Sequence, residues 1–147
     1  MTNKPNVTEI SAMAVQSAAI PYRYGDNGQV QILLVTSRKK GRWVLPKGHV
    51  RRGMVPHSSA AKEAFEEAGV IGRTDPAPIA SYQRKLKESD GRDAVRVDVY
   101  AMAVMTEAPV WPEMHERKRQ WATVPDALSI VADKGIRKAL KVFEAIY

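Results

Sequence analysis

Residues 48–70 read GHVRRGMVPHSSAAKEAFEEAGV, introduced by Trp43-Val44-Leu45-Pro46-Lys47 and closed by Gly69-Val70. A helix turns by about 100° per residue, so Glu63, Glu66 and Glu67 gather within roughly one quadrant of it. Ala61, Ala64, Phe65 and Ala68 fall on the opposite side. The segment predicts an amphipathic helix with one face packed on a core and the other a block of carboxylate. Gly69 stands where a left-handed residue ends a helix.

Acids at i, i+3 and i+4 repel one another, by a few tenths of a kcal/mol per pair in an isolated helix. Two arrangements answer this. The face is either solvated, or it surrounds a cation. Converging carboxylate oxygens are hard ligands that suit Mg²⁺ or Mn²⁺ better than a soft metal. Upstream, Gly48 follows Pro46-Lys47 and predicts a tight turn that leaves a bare backbone carbonyl near the helix.

Gly48, Lys62-Glu63-Ala64, Glu66-Glu67 and Gly69-Val70 resemble the Nudix box. That family's pattern is Gly, five residues, Glu, seven residues, then Arg-Glu-aliphatic-any-Glu-Glu-any-Gly-aliphatic, and the spacing matches throughout. Two positions depart from it: Met54 stands in place of the first Glu and Lys62 in place of Arg. In many members those two residues pair and orient the metal-binding acids, so their joint replacement looks like one lost interaction. Residues 42–49 are similar to the Trp-x-x-Pro-Lys-Gly-His approach of diadenosine polyphosphate hydrolases. Arg117-Lys118-Arg119-Gln120-Trp121 looks like the C-terminal segment of diphosphoinositol polyphosphate phosphohydrolases.

The resemblance implies a Nudix-type α/β/α sandwich with a mixed β-sheet. It also implies metal-dependent hydrolysis of a pyrophosphate bond in a nucleoside diphosphate-linked or related polyphosphate, dinucleoside polyphosphates and inositol pyrophosphates foremost. Glu63, Glu66, Glu67 and the Gly48 carbonyl would hold Mg²⁺ or Mn²⁺. Either an acid, with Glu66 or Glu67 first in line, or an outside residue would take the proton of the attacking water. Lys47, Arg38, Arg42 and Lys118 are the candidate phosphate-binding residues, the alternative for each being a solvated loop charge. Two other functions stay open, an RNA 5′-pyrophosphohydrolase and a weakly active or non-catalytic nucleotide-binding module, the latter because of Met54 and Lys62.

Outward from the box, the small apolar run 11–24 and the run 30–36 predict two strands joined at Gly25-Asp26-Asn27-Gly28. Residues 79–86 predict a strand and 88–93 a hairpin turn. Val95, Val97, Val99, Ala101 and Ala103 alternate with Arg96, Asp98, Tyr100 and Met102, the period of a long strand. Residues 108–115 carry two prolines and predict a loop, and 119–124 a short strand. A helix then opens at Val124-Pro125, and another spans 134–146, with Ile136, Ala139, Leu140, Phe143 and Ile146 at helical spacing.

A chain of 147 residues is one domain of ordinary size, here 10–147 behind a flexible arm at 1–9. Its net charge of +7, from 23 Lys and Arg against 16 Asp and Glu, suits a polyanionic small molecule. RNA answers to the same charge, but no aromatic residue alternates with the basic runs in a stacking pattern. The absence of cysteine excludes disulfides and thiolate metal sites. With no apolar run of membrane-spanning length and no signal-peptide core, the expected setting is the cytoplasm, away from membranes. Oligomeric state is left open.

Overall fold

The computed structural model describes residues 14–85 and 94–147. Strand β1 (Val15–Tyr24) turns into β2 (Val30–Thr36) as an antiparallel hairpin, Tyr22 opposite Ile32 and Tyr24 opposite Val30. The alternating stretch forms β7 (Ala94–Glu107), which runs parallel to β1 from Val15 opposite Arg96 to Tyr22 opposite Ala103. Strands β5 (Val70–Thr74) and β6 (Ala80–Lys85) join β7 antiparallel. Strand β8 (Arg119–Thr123) and the two-residue β3 (Trp43–Val44) pair with β2, and β4 (Lys47–His49) pairs with β1. Among the described residues the result is one mixed sheet of eight strands.

Helix α1 (Pro56–Ala68) covers one face of this sheet; α2 (Val124–Ile130) and α3 (Lys134–Ile146) cover the other. Successive residues of a strand point to opposite faces, so β1 serves both layers. Ala18 and Ile20 pack with Ile32, Leu34, Val97, Leu140 and Phe143, whereas Ala19 packs with Leu33, Val35, Tyr100 and Met102 beneath α1. Burial on both faces is why β2 reads as an unbroken apolar run. On α1 the residues that meet the sheet are Ala60, Ala64 and Ala68. Three alanines at i, i+4, i+8 hold the helix close to the strands, and its acids with it.

Three strands, β3, β4 and β5, are additional to those predicted. Gly48 does not make the expected tight turn but lies extended in β4, opposite Ser17. The expected arm at 1–9 and the turn at 88–93 lie outside the described residues, although β6 and β7 pair as the two arms of a hairpin would. Gly69 and Val124-Pro125 mark helix ends as the sequence predicts, and the remaining end signals are found only in the structure. Pro56 opens α1, Thr123 and Asp133 cap α2 and α3 through their side chains, and Gly69 ends α1 at φ 69°. Among the described residues no helix is long and apolar enough to cross a membrane.

Candidate active site

Strand β4 places Gly48 directly against α1. A Cβ built on Gly48 would lie 2.5 Å from the Glu63 carboxylate, so any side chain at this position would displace that carboxylate. The three acids are not one solvated block opposite the packing face. Glu63 is 9% and Glu67 4% exposed, and both sit in the cleft between α1 and β4.

Each acid has a basic partner from outside the helix. Arg51, on the loop between β4 and α1, bridges two of them with a single nitrogen: Nη2 donates to Glu63 Oε1 at 3.1 Å and also to Glu66 Oε2. Glu67 accepts the backbone N–H of Lys47 at 3.2 Å on Oε2 and meets Arg117 at 3.4 Å on Oε1. Arg117, 10% exposed, also donates to Glu113 Oε1 and to the Thr36 carbonyl, each at 3.0 Å. Burial pushes the Glu67 carboxyl up to about 8; Arg117 works against that shift, while neighbouring Glu63 adds to it.

The segment after β7 seals this end of α1. The Glu113 N–H donates to the Glu66 carbonyl at 3.0 Å, and Arg119 donates to the Ala68 carbonyl at 2.7 Å with its guanidinium over the Trp111 ring. The Trp111 ring lies close against Gly69, where a Cβ would meet it at 2.5 Å.

The other candidate cations are dispersed. Lys47 pairs with Ala18, so its side chain leaves the sheet on the α3 side. Burial and then the charge of Arg84 lower its pKa there, while Glu67 and Asp133 act in the opposite sense. Arg38 stands 3.4 Å from Glu116 and 3.8 Å from Glu113. Lys118 donates its backbone N–H to Thr36 Oγ1 at 2.9 Å, one residue from Arg117. Arg42 is exposed, with its backbone N–H on Ser37 Oγ at 3.0 Å. Arg96 and Asp98 form a 3.2 Å ion pair on the α1 side of the sheet, and Tyr100 lies against His57.

Sequence reasoning passed over Arg51 and Arg117, although both lay inside the stretches it singled out. The signal was available in charge arithmetic, since buried acids need cationic partners. Among the described residues no three acidic or histidine side chains are gathered as an ion would gather them, although Glu67 stays within hydrogen-bonding reach of Glu63. The donor set nonetheless fits a hard divalent ion: it is all oxygen, and Arg51 Nη2 marks a point from which one cation satisfies Glu63 and Glu66 together.

Replacing Arg117 by Met leaves Glu67 and Glu113 without their guanidinium. Losing one partner of a buried ion pair costs about 3–5 kcal/mol. The lower end, about 3 kcal/mol, is expected here because below about pH 8 Glu67 already holds a proton and loses less than a charged partner would. A guanidinium chloride titration measures the loss, and Arg117→Lys is expected to recover only part of it, since an ammonium lacks the fork that reaches three acceptors.

The NUDIX domain family profile matches residues 13–143. The chain is 30% identical over 131 residues to Nudix hydrolase 21, chloroplastic, of Arabidopsis thaliana, a match covering 84% of this chain and 63% of that protein. It is 29% identical over 137 residues to diphosphoinositol polyphosphate phosphohydrolase 2 of Rattus norvegicus, covering 89% of this chain and 72% of that one. A solved binary complex of the C. elegans Ap4A hydrolase shares the fold, with a TM-score of 0.70 at 21% identity over 91% of this chain and 97% of the other.

Proposed function

This chain belongs to the Nudix family, and we propose that it is a metal-dependent pyrophosphohydrolase acting on a small polyphosphate, with inositol pyrophosphates and dinucleoside polyphosphates as its preferred substrate classes. The observation that carries this reading is the close approach of Gly48 to Glu63, which sets a backbone strand beside the acid-bearing face of α1. A phosphoric anhydride is flanked by negative oxygens that repel an incoming hydroxide. Glu63, Glu66, Glu67 and the Gly48 carbonyl would hold Mg²⁺ or Mn²⁺, which would supply charge neutralisation and activation of the attacking water.

The chain's own groups do the rest. Glu67 is oriented by the Lys47 N–H and by Arg117, which fixes its rotamer before substrate arrives. Glu66 is the more open acid, its side chain 23% exposed. A water reaches it before Glu67, and we assign the proton acceptor to it. Arg38 and Lys118 flank Arg117 at the end of β2, where their charge favours a polyanion. The similarity to the rat diphosphoinositol polyphosphate phosphohydrolase supports the inositol pyrophosphate class. The absence of cysteine suits a reducing compartment, and we propose the cytoplasm.

The test is a screen of inositol pyrophosphates, dinucleoside polyphosphates, nucleotide sugars, ADP-ribose and nucleoside triphosphates with Mg²⁺ or Mn²⁺, following release of phosphate or nucleotide. Absence of metal-dependent anhydride cleavage across the whole panel would sink the proposal.

Met54 is half-buried on the loop before α1, and Lys62 is exposed on the helix. If these two positions otherwise pair to orient the acids, restoring both is worth more than restoring either. The double change Met54→Glu with Lys62→Arg is expected to raise kcat/KM by about fivefold beyond the product of the single changes, a coupling of about 1 kcal/mol. Steady-state kinetics on the four variants decides this; a product that is merely additive removes the pairing.

A further inference from the structure

We propose that Arg51 is an internal counter-cation of the acid cluster: in the metal-free protein its guanidinium occupies Glu63 and Glu66, and a divalent ion enters only as Arg51 leaves. This rests on the metal-site reading above and adds to it a competitor supplied by the chain itself.

Three observations carry it. One nitrogen of Arg51 is shared between Glu63 Oε1 and Glu66 Oε2, so the guanidinium uses the oxygens that face a common point. Glu67, beside Glu63, is met by Arg117 rather than by Arg51, so the two arginines divide the acids between them. The two arginines also differ in freedom. Arg117 is 10% exposed and tied to the Thr36 carbonyl as well as to two acids, whereas the Arg51 side chain is 38% exposed and, among the described residues, holds only the two carboxylates.

The backbone of Arg51 is fixed by its N–H on Ser59 Oγ at 3.3 Å and by its carbonyl, which accepts the Met54 N–H at 3.0 Å. The exchange is therefore a side-chain movement on an anchored turn, with solvent on one side. Its size follows from populations. A ligand whose competent state is present in a fraction f of molecules binds with Kd raised by 1/f. If Arg51 disengages in about a tenth of molecules, the ion binds about tenfold more weakly than the same acids would hold it without the arginine.

The experiment titrates the full chain with Mn²⁺ and follows free Mn²⁺ by electron paramagnetic resonance, a reading independent of turnover. Arg51→Met is expected to bind Mn²⁺ about tenfold more tightly than the wild type. Arg52→Met removes the same charge from the exposed neighbouring residue and is expected to change the affinity by less than about twofold, because exposed charges are screened. Should Arg51→Met fold poorly, Arg51→Lys, with a shorter reach and a single nitrogen, is expected to tighten binding by about threefold.

Equal or weaker Mn²⁺ binding by a folded Arg51 variant, beside a wild type that does bind, overturns the counter-cation role and leaves the metal site standing. Equal gains from Arg51→Met and Arg52→Met overturn it as well, reducing it to net charge. If neither the wild type nor the Arg51 variants bind Mn²⁺, the metal-site reading falls and takes this proposal with it.

Discussion

Changing Glu67 to Gln is expected to lower kcat by about three to four powers of ten, on the order of 4–5 kcal/mol of transition-state stabilisation, while the protein stays folded. Glu67 accepts on both oxygens, from the Lys47 N–H and from Arg117. Glutamine keeps the shape but offers one acceptor and one donor, so above about pH 8, where Glu67 is ionised, its NH₂ meets another donor on one side, at about 1–2 kcal/mol. Glu66→Gln is expected to be similarly slow without that structural cost, because its side chain is more open. Near-native turnover in both variants would leave the acids a structural feature only.

The same substitution carries a pH signature. The folded-state pKa of Glu67, about 8, lies above the ordinary value of 4.5. Between those values the native metal-free protein binds the extra proton and the unfolded chain does not. Stability contributed by this group is therefore full below about 4.5 and is lost as pH rises through about 8. Denaturation of metal-free wild type at pH 6 and pH 9 is expected to show the decline, and the Glu67→Gln variant is expected to lack this component of it.

Chelating the metal is the second large effect. Activity is expected to fall by at least about three powers of ten, to return with excess Mg²⁺ or Mn²⁺, and to leave the far-ultraviolet circular dichroism unchanged. Both cores are built from apolar side chains, and Arg51 and Arg117 neutralise the acids in the metal-free state. The thermal midpoint should move only by mass action, about 2.7 kcal/mol at a hundred times Kd. An undiminished rate after exhaustive chelation would end the metal-dependent mechanism.

The long elements were legible in the sequence. Strand β2 and helix α3 fall at the predicted residues, and β7 showed in its alternation. These elements carry enough residues for a period to emerge. Strands β3 and β4 have two and three residues, too few for any period, and β4 contains Gly48, which reads as a turn. Strand β5 is likewise short and interrupted by Gly72.

The acid face of α1 was half legible. Periodicity brings Glu63, Glu66 and Glu67 together but assigns charge to solvent, and it cannot see partners arriving from elsewhere in the chain. Arg51 comes from the preceding loop and Arg117 from beyond β7, so the burial of Glu63 and Glu67 became visible only with the fold. The family resemblance pointed to the acids, but not to the arginines that hold them.

The parallel pairing of β1 with β7 sets the order in which this protein assembles. Val15 meets Arg96 and Tyr22 meets Ala103, partners far apart along the chain, and closing so long a loop comes before any contact rewards it. Strand β4 docks on β1, so Gly48 reaches Glu63 only once β1 has been placed. Refolding should thus be limited by that long-range closure and be insensitive to Mg²⁺. The ion, finding its ligands only in the finished molecule, should act on the other limb of the chevron by slowing unfolding.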